Sequence, residues 1–234
     1  MIDVAGLWRR ALSPERGFRE LASEPPRLGA SLVRLLLLRS PVALAEGLLA
    51  YWGLLRLYQG VVNLESPLWG MILPHLPPDL AVEELRYLLD EAPAFPALAR
   101  VFPWLLLGAP VFVLSLWIHD AVWDHGCLWM LRGVKRTQGF GTTLLAESEA
   151  LQVGVFGALV GLLTSLPGVG WLFYLPVGAV GAYFWILRGV ALAAFHGCPG
   201  WKGIVATILH AVLVACFLVA SVGLMVLIVL QGVA

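Results

Sequence analysis

Five apolar runs, each about long enough to cross a bilayer as a helix, constrain this chain more than any other feature. They lie at about 41–62, 97–117, 150–166, 170–187 and 203–229, and a helix needs roughly twenty such residues to span hydrocarbon. The second run continues in helical register towards Leu131. Hydrophobic residues make up 60% and charged residues 13% of the 234 positions, whereas a soluble domain carries about a quarter charged residues. A protein core of this size cannot hide so much apolar surface, so lipid must be the solvent for much of it. The fold class expected is therefore all-α, a polytopic membrane bundle of five transmembrane helices with short interfacial amphipathic helices.

The basic residues orient the bundle. Seven arginines precede the first run (Arg9, Arg10, Arg16, Arg19, Arg27, Arg34 and Arg39). Arg132, Lys135 and Arg136 lie between the second and third runs, and Arg188 and Lys202 between the fourth and fifth. The alternate segments hold only Arg56, Arg86 and Arg100, together with Glu65, Asp79, Glu83, Glu84, Asp90 and Glu91. Cytoplasmic segments are the basic ones, so the N-terminus is expected in the cytoplasm and the C-terminus outside. A four-span or six-span reading would break the alternation. The division that follows is a cytoplasmic amphipathic segment, 1–39, and a five-span membrane domain, 40–234, with an external loop at about 63–96. Met1–Arg27 is charged and broken by Pro14, Pro25 and Pro26, which does not suit a signal peptide.

Local signals refine this plan. Pro41 suits the first turn of the first spanning helix, where its missing N–H costs nothing. Pro14–Ala22 reads as a short amphipathic helix capped by Ser13, with Phe18, Leu21 and Ala22 on one face. It either lies on an anionic leaflet through its arginines or packs on the bundle. Asp79–Glu91 reads as a second such helix. Pro167-Gly168-Val169-Gly170 is a tight turn that makes the third and fourth spans a hairpin. Gly157 and Gly161 on the third span, and Gly178 and Ala182 on the fourth, follow the small-xxx-small pattern that lets helix backbones approach. Packing inside the bundle is the plainer use of that pattern, and a homodimer is the alternative. Trp52, Tyr58, Trp104, Trp171 and Trp201 lie near span ends and suit interfacial anchoring.

Chemistry is sparsely signalled. No nucleophile elbow, HExxH, P-loop or dinucleotide fingerprint is present. A net charge of zero gives no surplus for a nucleic-acid backbone. Three Cys without framework spacing do not suggest structural disulfides. One constellation stands out. His125-Gly126-Cys127 and His196-Gly197-Cys198 both fall at cytoplasmic helix ends, where His125, Cys127, His196 and Cys198 would make a tetrahedral zinc set if Gly126 or Gly197 broke the helix. Asp120 and Asp124 share a helix face just before the first triplet, with His119 adjacent, and Glu147 and Glu149 open the third span at the same depth. The competing reading needs no metal: Asp124, His125, Glu147 and His196 form a hydrogen-bonded polar cluster at the helix ends.

The segments HGCLWMLRGVKRTQGFGTTLLAESEA, LLTSLPGVGW and GVALAAFHGCPGWKGIVA, in that order, together with LWRRALSPERGFRELASEPP near the N-terminus, give the chain a resemblance to the Yip family, the Ypt/Rab-interacting membrane proteins and their bacterial relatives. The positions that carry it are His125, Gly139-Phe140-Gly141-Thr142-Thr143, Pro167-Gly168-Val169-Gly170, His196-Gly197 and Lys202. The resemblance implies five spans with the N-terminus inside, and a non-enzymatic protein that organises bilayer or binds partners. Glu147-Ser148 stands where the family has Tyr-Ser, and the Asp-Leu-Tyr-Gly motif of eukaryotic members is absent, so a Rab partner is not implied. A composition rich in Leu, Ala, Arg and Gly and poor in Lys suggests the cytoplasmic membrane of a bacterium. Two other functions stay open: a small-solute or ion transporter, for which Thr164, Ser165, Thr207, Ser115 and Ser221 offer few polar groups at mid-depth, and a metal-dependent membrane enzyme built on the His residues.

Overall fold

The computed structural model describes residues 3–75, 86, 87, 89, 91–135, 138–166 and 169–233, with side chains as far as residue 226. Among these residues the chain is all-α. Helices α1 (Val4–Leu12) and α2 (Pro14–Ala22) precede α3 (Leu28–Val62). Helix α4 (Pro67–Ile72) leads to α5 (Leu98–Met130), α6 (Phe140–Gly161), α7 (Tyr174–His196) and α8 (Gly200–Val233). Short 3-10 turns, Leu162–Ser165 and Gly170–Phe173, extend α6 and lead into α7. Helices α3, α5, α6, α7 and α8 are long and apolar enough to cross a membrane, and only 17% to 39% of each apolar window is buried within the protein. The remaining apolar surface meets the lipid bilayer, and the protein is an integral membrane protein.

The spanning helices start earlier or end later than hydropathy alone suggests. Helix α3 begins at Leu28, so Pro41 sits inside it and not in its first turn. Helix α6 begins at Phe140 and carries Glu147 and Glu149 within it. Helix α7 continues past Leu187 to His196. Residues 39 and 40 both lie within α3. The chain divides into one compact unit of Met1–Val42 with Pro110–Ala234 and another of Ala43–Ala109.

In the larger unit, antiparallel neighbours pack through small residues. A Cβ on Gly189 of α7 would strike the Ile204 backbone of α8, and one on Gly203 would strike the Gly189 carbonyl. Gly157 of α6 lies against the ring of Phe184 on α7. Gly161 and Gly178 face open space, and Ala182 is exposed, so of the four small residues expected at helix contacts only Gly157 makes one. The amide of Gly170 donates to Leu166 O at 2.9 Å, closing the α6–α7 connection. Pro167 and Gly168 of the expected turn lie outside the described residues, as does most of the expected Asp79–Glu91 helix.

The N-terminal helices belong to this unit. Phe18 of α2 is fully buried in a core with Leu7, Ala150, Val153, Leu187 and Ala191. Trp8 of α1 stacks on Phe156 of α6, centroids 4.4 Å apart, and the Tyr183 hydroxyl of α7 donates to Ala11 O. Ser13 precedes α2 as expected, but its side chain makes no capping bond. Within the smaller unit, Tyr51 and Tyr58 of α3 donate to Pro96 O and Pro93 O and hold Phe95 between their rings.

Candidate functional site: a layer of buried charge

Helix α5 leaves the apolar stretch at His119 and places Asp120 and Asp124 one turn apart on its inner face. Helix α6 brings Glu147, α7 brings Arg188 and α8 brings His210 to the same level. All are buried: Asp124 and Glu147 are 0% exposed, His210 2%, Asp120 5% and Arg188 8%. The Arg188 guanidinium is the hub. Its Nη1 lies 3.0 Å from Asp120 Oδ2, its Nη2 2.6 Å from Asp124 Oδ2 and its Nε 3.1 Å from Glu147 Oε2. The planar fork of arginine has the donors for three carboxylates at once, which a lysine ammonium could not match in this geometry. His210 Nδ1 lies 2.7 Å from Asp124 Oδ1. Trp123 stacks on His210 with an interplanar angle of 8°, and Trp185 meets both His210 and the Arg188 guanidinium. Three carboxyls face one guanidinium here, and buried charge must be paired or neutralised.

Two further networks flank the hub. Glu149 of α6 accepts from Ser31 Oγ at 2.6 Å and from Arg34 Nη2 at 2.9 Å, both on α3, and pairs with Arg10 of α1 at 3.7 Å. Burial lowers the Arg10 pKa from its ordinary value, and the Glu149 carboxylate works against that shift. Gln152 Nε2 donates to Ser31 Oγ, and Ser31 and Ser148 hydroxyls bond at 2.6 Å. On the other side, Thr143 Oγ1 bridges His125 Nδ1 at 2.7 Å and His196 Nε2 at 2.9 Å.

The expected polar cluster of Asp124, His125, Glu147 and His196 is thus distributed: the carboxyls sit on Arg188 and the two His on Thr143. The expected zinc residues part in the same way. His125 and His196 are bridged by a hydroxyl, while Cys127 is buried beside Leu128 and Ala206 with Cys198 packed against that apolar group. Burial raises the Cys198 thiol above its ordinary range, with Lys202 and Lys135 pulling the other way. Gly197 ends α7 with φ 56°, and Cys198 N returns to Ala193 O at 3.0 Å, a Schellman stop. Gly126 does not break its helix, because α5 runs on to Met130. Among the described residues the His, Cys, Asp and Glu ligand atoms that converge as a group of three are those of His119, Asp120 and His210.

Asp120, Asp124, Glu147 and Glu149 are legible in the sequence as a polar layer. Arg188, His210, Ser31 and Gln152 are not singled out by any motif, and Thr143 enters only through the stretch 139–143 that carries the resemblance. The signal for the first two is a charged or titratable residue flanked on both sides by apolar sequence, which lipid tolerates only with a partner. No family model, curated protein or solved structure matches the chain.

Proposed function

We propose that the protein is a non-enzymatic, membrane-organising protein of Yip-like type, acting at the cytoplasmic face of a bacterial inner membrane. The observation that carries this reading is the docked N-terminal pair. Helices α1 and α2 bury Leu7 and Phe18 in the bundle and leave Val4, Leu12 and half of Trp8 exposed beside Arg19 and beside Arg9 and Arg16, which pair with Glu20. Aromatic and aliphatic side chains next to arginines suit the boundary between acyl chains and anionic headgroups. Because α1 and α2 are fixed to α6 and α7, force from the headgroups passes to the spanning helices. Support for the Yip-like reading comes from residues that carry the resemblance: His125, Thr143 and His196 lie far apart in sequence and join in one hydrogen-bonded chain.

The mid-span hydroxyls speak against conduction through one chain. Thr164, Thr207 and Ser221 donate to carbonyls of the preceding turn, so each is turned back on its own helix, and such isolated hydroxyls do not make a continuous polar route. The test is reconstitution into phosphatidylcholine vesicles with and without phosphatidylglycerol, with shape followed by electron cryomicroscopy and ion flux by a pH-sensitive dye. Deformation that grows with the anionic lipid, and is lost in Arg9→Gln/Arg16→Gln/Arg19→Gln, is expected. Unchanged vesicles carrying a saturable flux would establish the transporter reading in its place.

A further inference from the structure

We propose that His119, Asp120 and His210 bind a divalent transition-metal ion of the zinc class, a site separate from the His-Gly-Cys triplets. One ligand atom from each lies within 4.8 Å of the other two. Tetrahedral zinc with ligands at 2.0–2.1 Å separates them by about 3.4 Å, so binding draws the three groups closer together. Two imidazoles and one carboxylate leave a coordination position open for water, the donor set of open zinc and iron(II) centres.

The surroundings are those of a ligand set already held in place. His210 has Nδ1 committed to Asp124 Oδ1 at 2.7 Å, which leaves Nε2 for the metal. A carboxylate behind a ligating imidazole is the usual outer-shell arrangement, fixing both tautomer and ring orientation. Asp120 has Oδ2 on Arg188 at 3.0 Å and Oδ1 turned towards His119 Nδ1 at 3.2 Å. Trp123 and Trp185 pack on the His210 ring. His119, 47% exposed, forms the entry side.

Charge supplies an independent argument. The Arg188 guanidinium contacts three buried carboxyls, so acidic groups outnumber the arginine at this level, and a cation held beside Asp120 would offset that excess in a setting where unbalanced charge is costly.

This proposal does not depend on the membrane-organising reading. Its test is titration of the detergent-purified, chelator-treated full chain with Co2+, reading the visible d–d bands, with zinc content measured by mass spectrometry. One metal per chain is expected, absent in His119→Ala and His210→Ala, and weakened roughly ten- to hundred-fold in Asp124→Asn. His119→Ala keeps the test sound if the buried variants fail to fold, because its side chain is half exposed on the protein surface. His125→Ala/His196→Ala should bind as the wild type does. A folded wild type that takes up no Co2+, metal retained by a folded His119→Ala, or metal lost in the His125→Ala/His196→Ala pair would each overturn the assignment.

Discussion

Arg188 is where the structure concentrates most of its electrostatic cost. Replacing it with Ala strips three buried carboxyls of their common partner, and breaking a buried ion pair costs about 3–5 kcal/mol. Arg188→Ala should therefore lower the midpoint of unfolding in detergent sharply, while Arg19→Ala, on the exposed face of α2, should change stability by less than about 0.5 kcal/mol. Equal effects would mean that the layer is solvated. The acids of this layer could be read from the sequence because Asp120 and Asp124, and Glu147 and Glu149, are spaced to appear together at the edge of an apolar run. Their cation could not. Ending the fourth run at Leu187 leaves Arg188 in a loop and among the positive charges of the cytoplasmic side. His210 is hidden by the opposite effect, as one titratable residue in the most apolar helix of the chain. What joins them is tertiary: α5, α7 and α8 meet at one level, and no local pattern records that.

The same physics explains the element boundaries. A hydropathy run stops at the first charge, but a helix need not stop where charges neutralise one another. Helix α3 starts at Leu28 because Ser31 and Arg34 find Glu149, and α6 starts at Phe140 because Glu147 and Glu149 find arginines. The centres of all five runs were visible in composition; their buried polar ends depended on partners far along the chain. Helix α1 falls in a segment where the charged pattern signals an amphipathic lead-in but not two helices, and its anchor, Arg10 against Glu149, joins residues far apart in the chain. Small residues follow a similar rule. Gly189 and Gly203 make the close α7–α8 contact, whereas Gly178 points into open space. Gly189→Leu should destabilise by roughly 1–3 kcal/mol or more, and Gly178→Leu should leave stability within about 0.5 kcal/mol. Thermal unfolding followed by circular dichroism compares them. A change of oligomeric state in Gly178→Leu alone would instead assign the exposed Gly178–Ala182 face to a homodimer.

Across the whole molecule, the polar layer, the docked α1–α2 pair and the connections at residues 131–139 and 197–199 belong to one compact unit, and the basic residues of the chain gather in those same segments. The positive-inside rule would place that end of the spans, with its buried charge, on the cytoplasmic side. Orientation is the claim on which the account rests. The direct measurement is cysteine labelling in intact cells with a membrane-impermeant maleimide, using chains in which Cys127, Cys198 and Cys216 are replaced by Ala and a single cysteine is introduced as Ser13→Cys or Ser66→Cys. The account predicts that Ser66→Cys is labelled from outside and Ser13→Cys only after the membrane is opened. Labelling of Ser13→Cys in intact cells, with Ser66→Cys protected, would invert the molecule and contradict it.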